Sequence, residues 1–190
     1  MNLPREDLLA IVQKYYDSSD GFHFTTKVSP ETERRHALWA QWVADTSSWY
    51  ALRDELSSEL PNYITGETYP THDGGPRCMV YPPRESRSPT SNWVVVGCVS
   101  LLAPVYFVYG VEYDCIDGHL RNPKASFEAP PPNMAFPAQV VARTIEAVLG
   151  YSALPREIAE TPVPLFAGWR APPETTLFHA LFTNEPDNIP

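Results

Sequence analysis

Trp93-Val94-Val95-Val96-Gly97-Cys98-Val99-Ser100-Leu101 and, after Leu102-Ala103-Pro104, Val105-Tyr106-Phe107-Val108-Tyr109-Gly110-Val111-Glu112-Tyr113-Asp114 are the two runs that decide the fold. β-Branched and aromatic residues dominate both, and each run is apolar at odd and even positions alike. Val105, Phe107, Tyr109, Val111 and Tyr113 make one side of the second run, and Tyr106 and Val108 the other. Because side chains alternate along a strand, such runs bury both faces and belong in the middle of a sheet covered by further layers. Breaks at Gly97, Ser100, Pro104 and Gly110 argue against a membrane-spanning helix over Trp93 to Val111.

On the N-terminal side the chain obeys other rules. Only two of the 21 prolines, Pro4 and Pro30, lie in the first sixty residues. Leu8, Leu9, Ile11, Val12 and Tyr15 fit a short amphipathic helix, followed by a turn-rich stretch from Asp17 to Gly21. Ser29-Pro30 starts a second helix: the serine caps orphan N–H groups and proline lacks the one that needs no partner. Glu31 and Glu33 suit its dipole. Leu38, Trp42, Trp49, Leu52, Leu56 and Leu60 carry one apolar stripe almost to Pro61, with room for a bend at Asp45 to Ser48. Tyr63 to Thr68 and Arg77 to Tyr81 then read as a hairpin around Asp73-Gly74-Gly75.

Beyond the central pair, Asp117-Gly118 is a turn dipeptide. Asn122 to Pro137, with the triplet Pro130-Pro131-Pro132, reads as a rigid surface connection without helix. Val140, Val141, Ile145, Val148 and Leu149 form one more amphipathic helix, stopped at Gly150. The Pro-rich tail wraps the body, and Thr175 to Phe182 is either a short helix or a last strand. The expected fold is α/β of the α+β kind: one domain over 1–190, with a central, mainly antiparallel sheet, N-terminal helices and one further helix packed on it.

Composition narrows the function. The 190 residues are 43% hydrophobic and 12% aromatic, enough for a sizeable core. Fourteen Lys and Arg against 23 Asp and Glu leave a net charge of -9, which argues against binding nucleic acid or an anionic membrane surface. Met1 to Tyr16 lacks the apolar stretch of a signal peptide, and Cys78, Cys98 and Cys115 show no metal or redox spacing, so a cytoplasmic protein with reduced thiols is expected.

Phosphate loops, dinucleotide turns, zinc helices and nucleophile elbows are absent. Glu112, Asp114, Asp117 and His119 offer oxygen and imidazole ligands within eight positions, with His72 and Asp73 as further candidates for a metal. Hydrated acids at a strand end explain the same residues without metal. Cys115 beside His119 has the composition of an activated thiol, but a strand-end thiol near a turn is the expected reading. His23 and His36 read as packed or solvated residues. No cofactor is expected. Three acids and no base from Pro104 to Leu120, and five acids against Arg170 from Glu157 to Pro190, merge into one negative patch if the tail packs beside the strand end. Glu112, Asp114, Asp117, Glu157, Glu160 and Glu174 are then the candidate partner-binding residues, and complementary charge would speed association with a basic protein.

The Trp-rich helix Ala37 to Tyr50, the apolar pair Val94 to Val99 and Val105 to Tyr109, and the tail Thr175 to Phe182, in an acidic chain of this size, resemble the immunity proteins of bacterial polymorphic-toxin and contact-dependent competition systems. The resemblance implies a non-enzymatic inhibitor that binds a cognate toxin, often a nuclease. Two other readings stand beside it: a small metal-dependent hydrolase using Asp114, Asp117 and His119, and an adaptor or structural component of a secretion or phage-like assembly.

Overall fold

β3 (Ser91–Val99) and β4 (Val105–Ile116) pair antiparallel at the centre of the protein, with Val99 opposite Tyr106 and Ser91 opposite Asp114. The computed structural model describes residues 3–16, 28–71, 74–86, 88, 91–117, 119–168 and 170–189. β1 (Ile64–Thr68) and β2 (Arg77–Tyr81) form the expected hairpin, and the sheet order is β1-β2-β3-β4-β5. A sixth strand, β6 (Ser152–Ala153), runs parallel to β4 at Val105 and Tyr106. The architecture is α+β, as the apolar runs predict.

Both faces of the central pair are covered. Val94, Val96, Phe107, Tyr109 and Val111 pack with Leu8 and Val12 of α1 (Arg5–Val12) and with Phe178 of α6 (Leu177–Leu181). On the opposite face Val95, Val99 and Tyr106 meet Leu52 and Leu56 of α3 (Ser47–Glu59) and Val141 and Ile145 of α4 (Pro132–Leu149). Gly97 permits this contact, since a Cβ there would stand 2.6 Å from Val141 Cγ1 and 2.8 Å from Cys78 Sγ. Burial pushes the Cys78 and Cys98 thiols up to about 12, so both stay protonated and behave as apolar filler.

Several boundaries differ from the sequence expectation. The stripe from Pro30 to Pro61 is two helices, α2 (Pro30–Ala44) and α3. Asp45 Oδ1 accepts from the Ser47 N–H at 3.1 Å and draws the chain out of helix, within the bend allowed there. Ser29 caps α2 as predicted, accepting from Thr32 N–H at 3.2 Å. No residue of α2 is fully buried; Trp42 meets Trp49 and Tyr69 edge-on, and Trp39 donates to Pro70 O at 2.9 Å.

The segment read as a connection from Asn122 to Pro137 instead continues β5 (His119–Ser126) and then starts α4 at Pro132. Proline is tolerated in a first helical turn, where its missing N–H has no intrahelical partner, so the triplet opens the helix rather than forbidding it. Pro137 lies further in, where it forgoes one hydrogen bond and is buried. Gly150 ends α4 in the left-handed region, at φ 68°.

After β6 come α5 (Arg156–Ala159) and α6, which decides Thr175 to Phe182 for helix. Residues 182–189 form a clasp across the sheet. Phe182 O accepts from Gly75 N–H at 2.8 Å, Pro186 O from the Tyr109 hydroxyl at 3.0 Å, and Asn188 O from Arg77 Nη1 at 2.8 Å. Asp187 accepts from the Ala125 N–H of the outer strand β5. Among the described residues no helix is long and apolar enough to cross a membrane.

Candidate functional site

The residues singled out by chemistry cluster on the β4–β5 hairpin. Ile116 pairs with His119, so two positions separate the strands, and Asp117, the first of them, takes a positive φ of 52°. A bulge lies between Glu112 and Asp114: β4 advances two residues while β5 goes from Lys124 to Arg121. Within it Asn122, also at φ 52°, donates its Nδ2 hydrogen to Asp114 Oδ2 at 2.8 Å.

The register of β3 ends at Ser91, opposite Asp114. Among the described residues Cys115 to Leu120 therefore pair only within the hairpin, which runs on past Ser91. Ile116, 49% exposed, is opposite His119, and Leu120, 44% exposed, is opposite Cys115. Opposed residues share a face and neighbours alternate, so Ile116 and Leu120 project from opposite faces of the ribbon.

The same geometry tests the candidate chemistry. Cys115 shares the face of Leu120, and His119 lies on the other, so the imidazole does not meet the thiol. Asp114 and His119 share a face, yet among the described residues no three His, Cys, Asp or Glu side chains gather to hold a metal. His72, Asp73 and His23 lie outside the described residues.

The single negative patch does not form. Across β4 and β5, Glu112 faces Lys124 and Asp114 faces Arg121, bases that a count ending at Leu120 leaves out. Glu157 and Glu160 follow β6, which pairs with the start of β4, eight residues from Asp114 or about 27 Å along a strand. Glu160 pairs with Arg156 at 3.0 Å, and Arg156 also pairs with Glu128. Glu174 sits in an exposed turn beside the Pro162–Thr176 bridge, on that same side. Of the tail acids it is Asp187 that reaches β5, through the clasp.

Sequence reading missed a groove beside the hairpin. Between the start of β3, the Arg84–Ser86 turn and the first turn of α4 lies a cavity of about 490 Å³, lined among others by Tyr63, Ser86, Asn92, Trp93 and Asn133. It adjoins a notch of about 170 Å³ that holds Glu112, Asp114 and Lys124, and both share Trp93 and Asn133. Tyr63 stands between Trp93 and Phe136, with ring centroids 6.4 and 6.3 Å away. Phe136 is 56% exposed. Tyr63 and Trp93 belong to loop and strand while Phe136 is four positions into a helix that starts at Pro132, so no linear spacing betrays the cluster.

A buried histidine lies elsewhere. His179 Nδ1 accepts from the Thr176 N–H at 3.1 Å, closing a capping box at the start of α6. Burial, with the nearby Arg170 charge, pushes its imidazole down to about 4, so it is neutral at pH 7. Compared with protein-family models, with curated proteins and with solved structures, the chain matches none.

Proposed function

We propose that this chain is a non-enzymatic, immunity-type protein of the cytoplasm that binds and neutralises a cognate bacterial toxin domain, with the β4–β5 hairpin as the occluding element. The observation that carries this reading is the projecting ribbon with an exposed aliphatic side chain on each face, Ile116 and Leu120, beside the carboxylates of Asp114 and Asp117. Large apolar side chains rimmed by charge suit the centre of a protein interface, where they fill pockets of a partner and exclude water. Glu112, Lys124 and Arg121 supply a rim of both signs, which sets register rather than affinity. The overall charge of -9 favours encounter with a basic toxin domain.

The test is affinity capture with the products of the open reading frames adjacent to its gene, followed by co-expression with the captured protein. One neighbouring product should be retained and its toxicity relieved. The double substitution Ile116→Asp with Leu120→Asp should abolish both effects. Retention of the same product by the double variant, or capture of no neighbour, refutes the proposal.

A further inference from the structure

We infer that the protein self-associates through the outer edge of β1, which pairs antiparallel with β1 of a second copy across a two-fold axis at Gly66. The inference is separate from toxin occlusion, because β1 and β5 are opposite ends of the strand order.

The two edges differ in how they are guarded. An open edge invites pairing with another chain, and charge, proline, bulges or a covering segment discourage it. β5 has all four: Arg121 and Lys124, Pro123, the register shift between Glu112 and Asp114, and the Asp187 carboxylate on the Ala125 N–H. β1, Ile-Thr-Gly-Glu-Thr, has no base and no proline, and its pairing with β2 runs from Ile64 to Thr68 without a shift. Its one charge, Glu67, is turned to α3, where Arg53 Nη1 lies 3.6 Å from the carboxylate.

Hydrogen bonding in β2 shows which groups of β1 face outward. The Arg77 N–H points to β1, where Thr68 Oγ1 accepts it at 3.2 Å, whereas Pro76 O points to β3 and accepts from the Val99 N–H at 3.2 Å. Arg77, Met79 and Tyr81 therefore bond toward β1, and their opposites Thr68, Gly66 and Ile64 bond back. The N–H and C=O of Thr65 and Glu67 are left directed away from the sheet. Among the described residues no hydrogen bond reaches any of these four groups.

The edge is complementary to itself. With Gly66 opposite Gly66 of the second copy, Thr65 faces Glu67 in both directions, and four N–H···O bonds use every outward group of the two strands. At the axis the pair is of the closer kind, with Cα atoms about 4.5 Å apart, and glycine places no side chain there. Half-buried Ile64 comes opposite Thr68 of the second copy. A slip that set Glu67 opposite Glu67 would bring like charges together, which selects against that register.

The experiment uses the full chain. Sedimentation equilibrium should show reversible monomer–dimer exchange with a dissociation constant of about 1–100 μM, as suits a contact at the small end of specific interfaces. Each copy carries a charge of -9, so the dimer should tighten as salt rises from about 0.05 to 0.5 M, whereas docking to a basic toxin should weaken. Thr65→Pro deletes an outward N–H, hence two of the four bonds by symmetry, and should weaken the dimer about tenfold or more with circular dichroism unchanged. Gly66→Cys in a Cys115→Ser background reads the register. A Cβ at Gly66 stands 3.4 Å from Met79 Cε, in ordinary contact, and Cys78 and Cys98 are buried, so oxidation should give a disulfide-linked dimer. Ile64→Cys in the same background should not. A monomer at every concentration up to about 200 μM, a dimer that Thr65→Pro leaves as strong, or a crosslink from Ile64→Cys rather than Gly66→Cys overturns the inference.

Discussion

At Val105 and Tyr106, β4 has β3 on one side and β6 on the other, and both residues are buried. Ten residues on, Ile116 pairs, among the described residues, only with His119 and is half exposed. One continuous strand thus passes from the core to a two-stranded ribbon. Folding is decided at the first end, where apolar area leaves water on both faces; the second adds little to it. Exposed Ile116 and Leu120 are for that reason unexplained by stability and are the residues to examine for contact with other molecules.

The largest contrast is expected from substitution at the buried end. Phe178 is fully buried and stacks against Phe107, Tyr109, Phe127 and Phe182. Phe178→Ala should cost about 3–5 kcal/mol by urea denaturation. A loss below about 1 kcal/mol would show that this layer closes over the sheet more loosely than the packing describes.

Acid should act next, again on the buried side. The folded value of His179, about 4, lies below the unfolded value of 6.5, so the unfolded chain takes up the proton first. Its contribution is whole above pH 6.5 and drains away as pH falls toward 4. Midpoints of urea unfolding between pH 7 and 4.5 should decline in the native chain and decline less in His179→Gln; parallel curves would remove this histidine from the account.

The smallest effect on stability belongs to the ribbon. Ile116→Asp with Leu120→Asp should change the unfolding free energy by no more than about 0.5 kcal/mol, while the capture of the neighbouring product is lost. A loss of several kcal/mol would instead place the tip in the core's cooperative unit and undo the division drawn along β4.

What the sequence reveals follows the same division. The central pair, its two covered faces, the β1–β2 hairpin, the reversal at Asp117 and the Gly150 stop all carry strong local signals, either apolar runs or special backbone chemistry. β5 carries none: its residues His119 to Lys124 are exposed, and Arg121, Pro123 and Lys124 are what a protected sheet edge and a loop have in common. Hydrogen bonding to β4 alone makes it a strand. Strand pairing also hides the cancellation of Glu112 by Lys124 and of Asp114 by Arg121, because the bases follow the acids across a turn. Two-residue β6 and the ring cluster of Tyr63, Trp93 and Phe136 depend on distant segments meeting, which periodicity does not record.

The clasp of residues 182–189 has a kinetic consequence. Arg77 Nη1 reaches Asn188 O across 111 positions of chain, and the Tyr16 hydroxyl donates to Ala180 O across 164. Closures of that span must be made before their contacts reward them, which places the protein among slow, high-contact-order folders in the millisecond-to-second range. During synthesis the aromatic layer under Phe178 stays uncovered until residues 177–189 emerge, a window in which the nascent chain is exposed to chaperones and to its own copies.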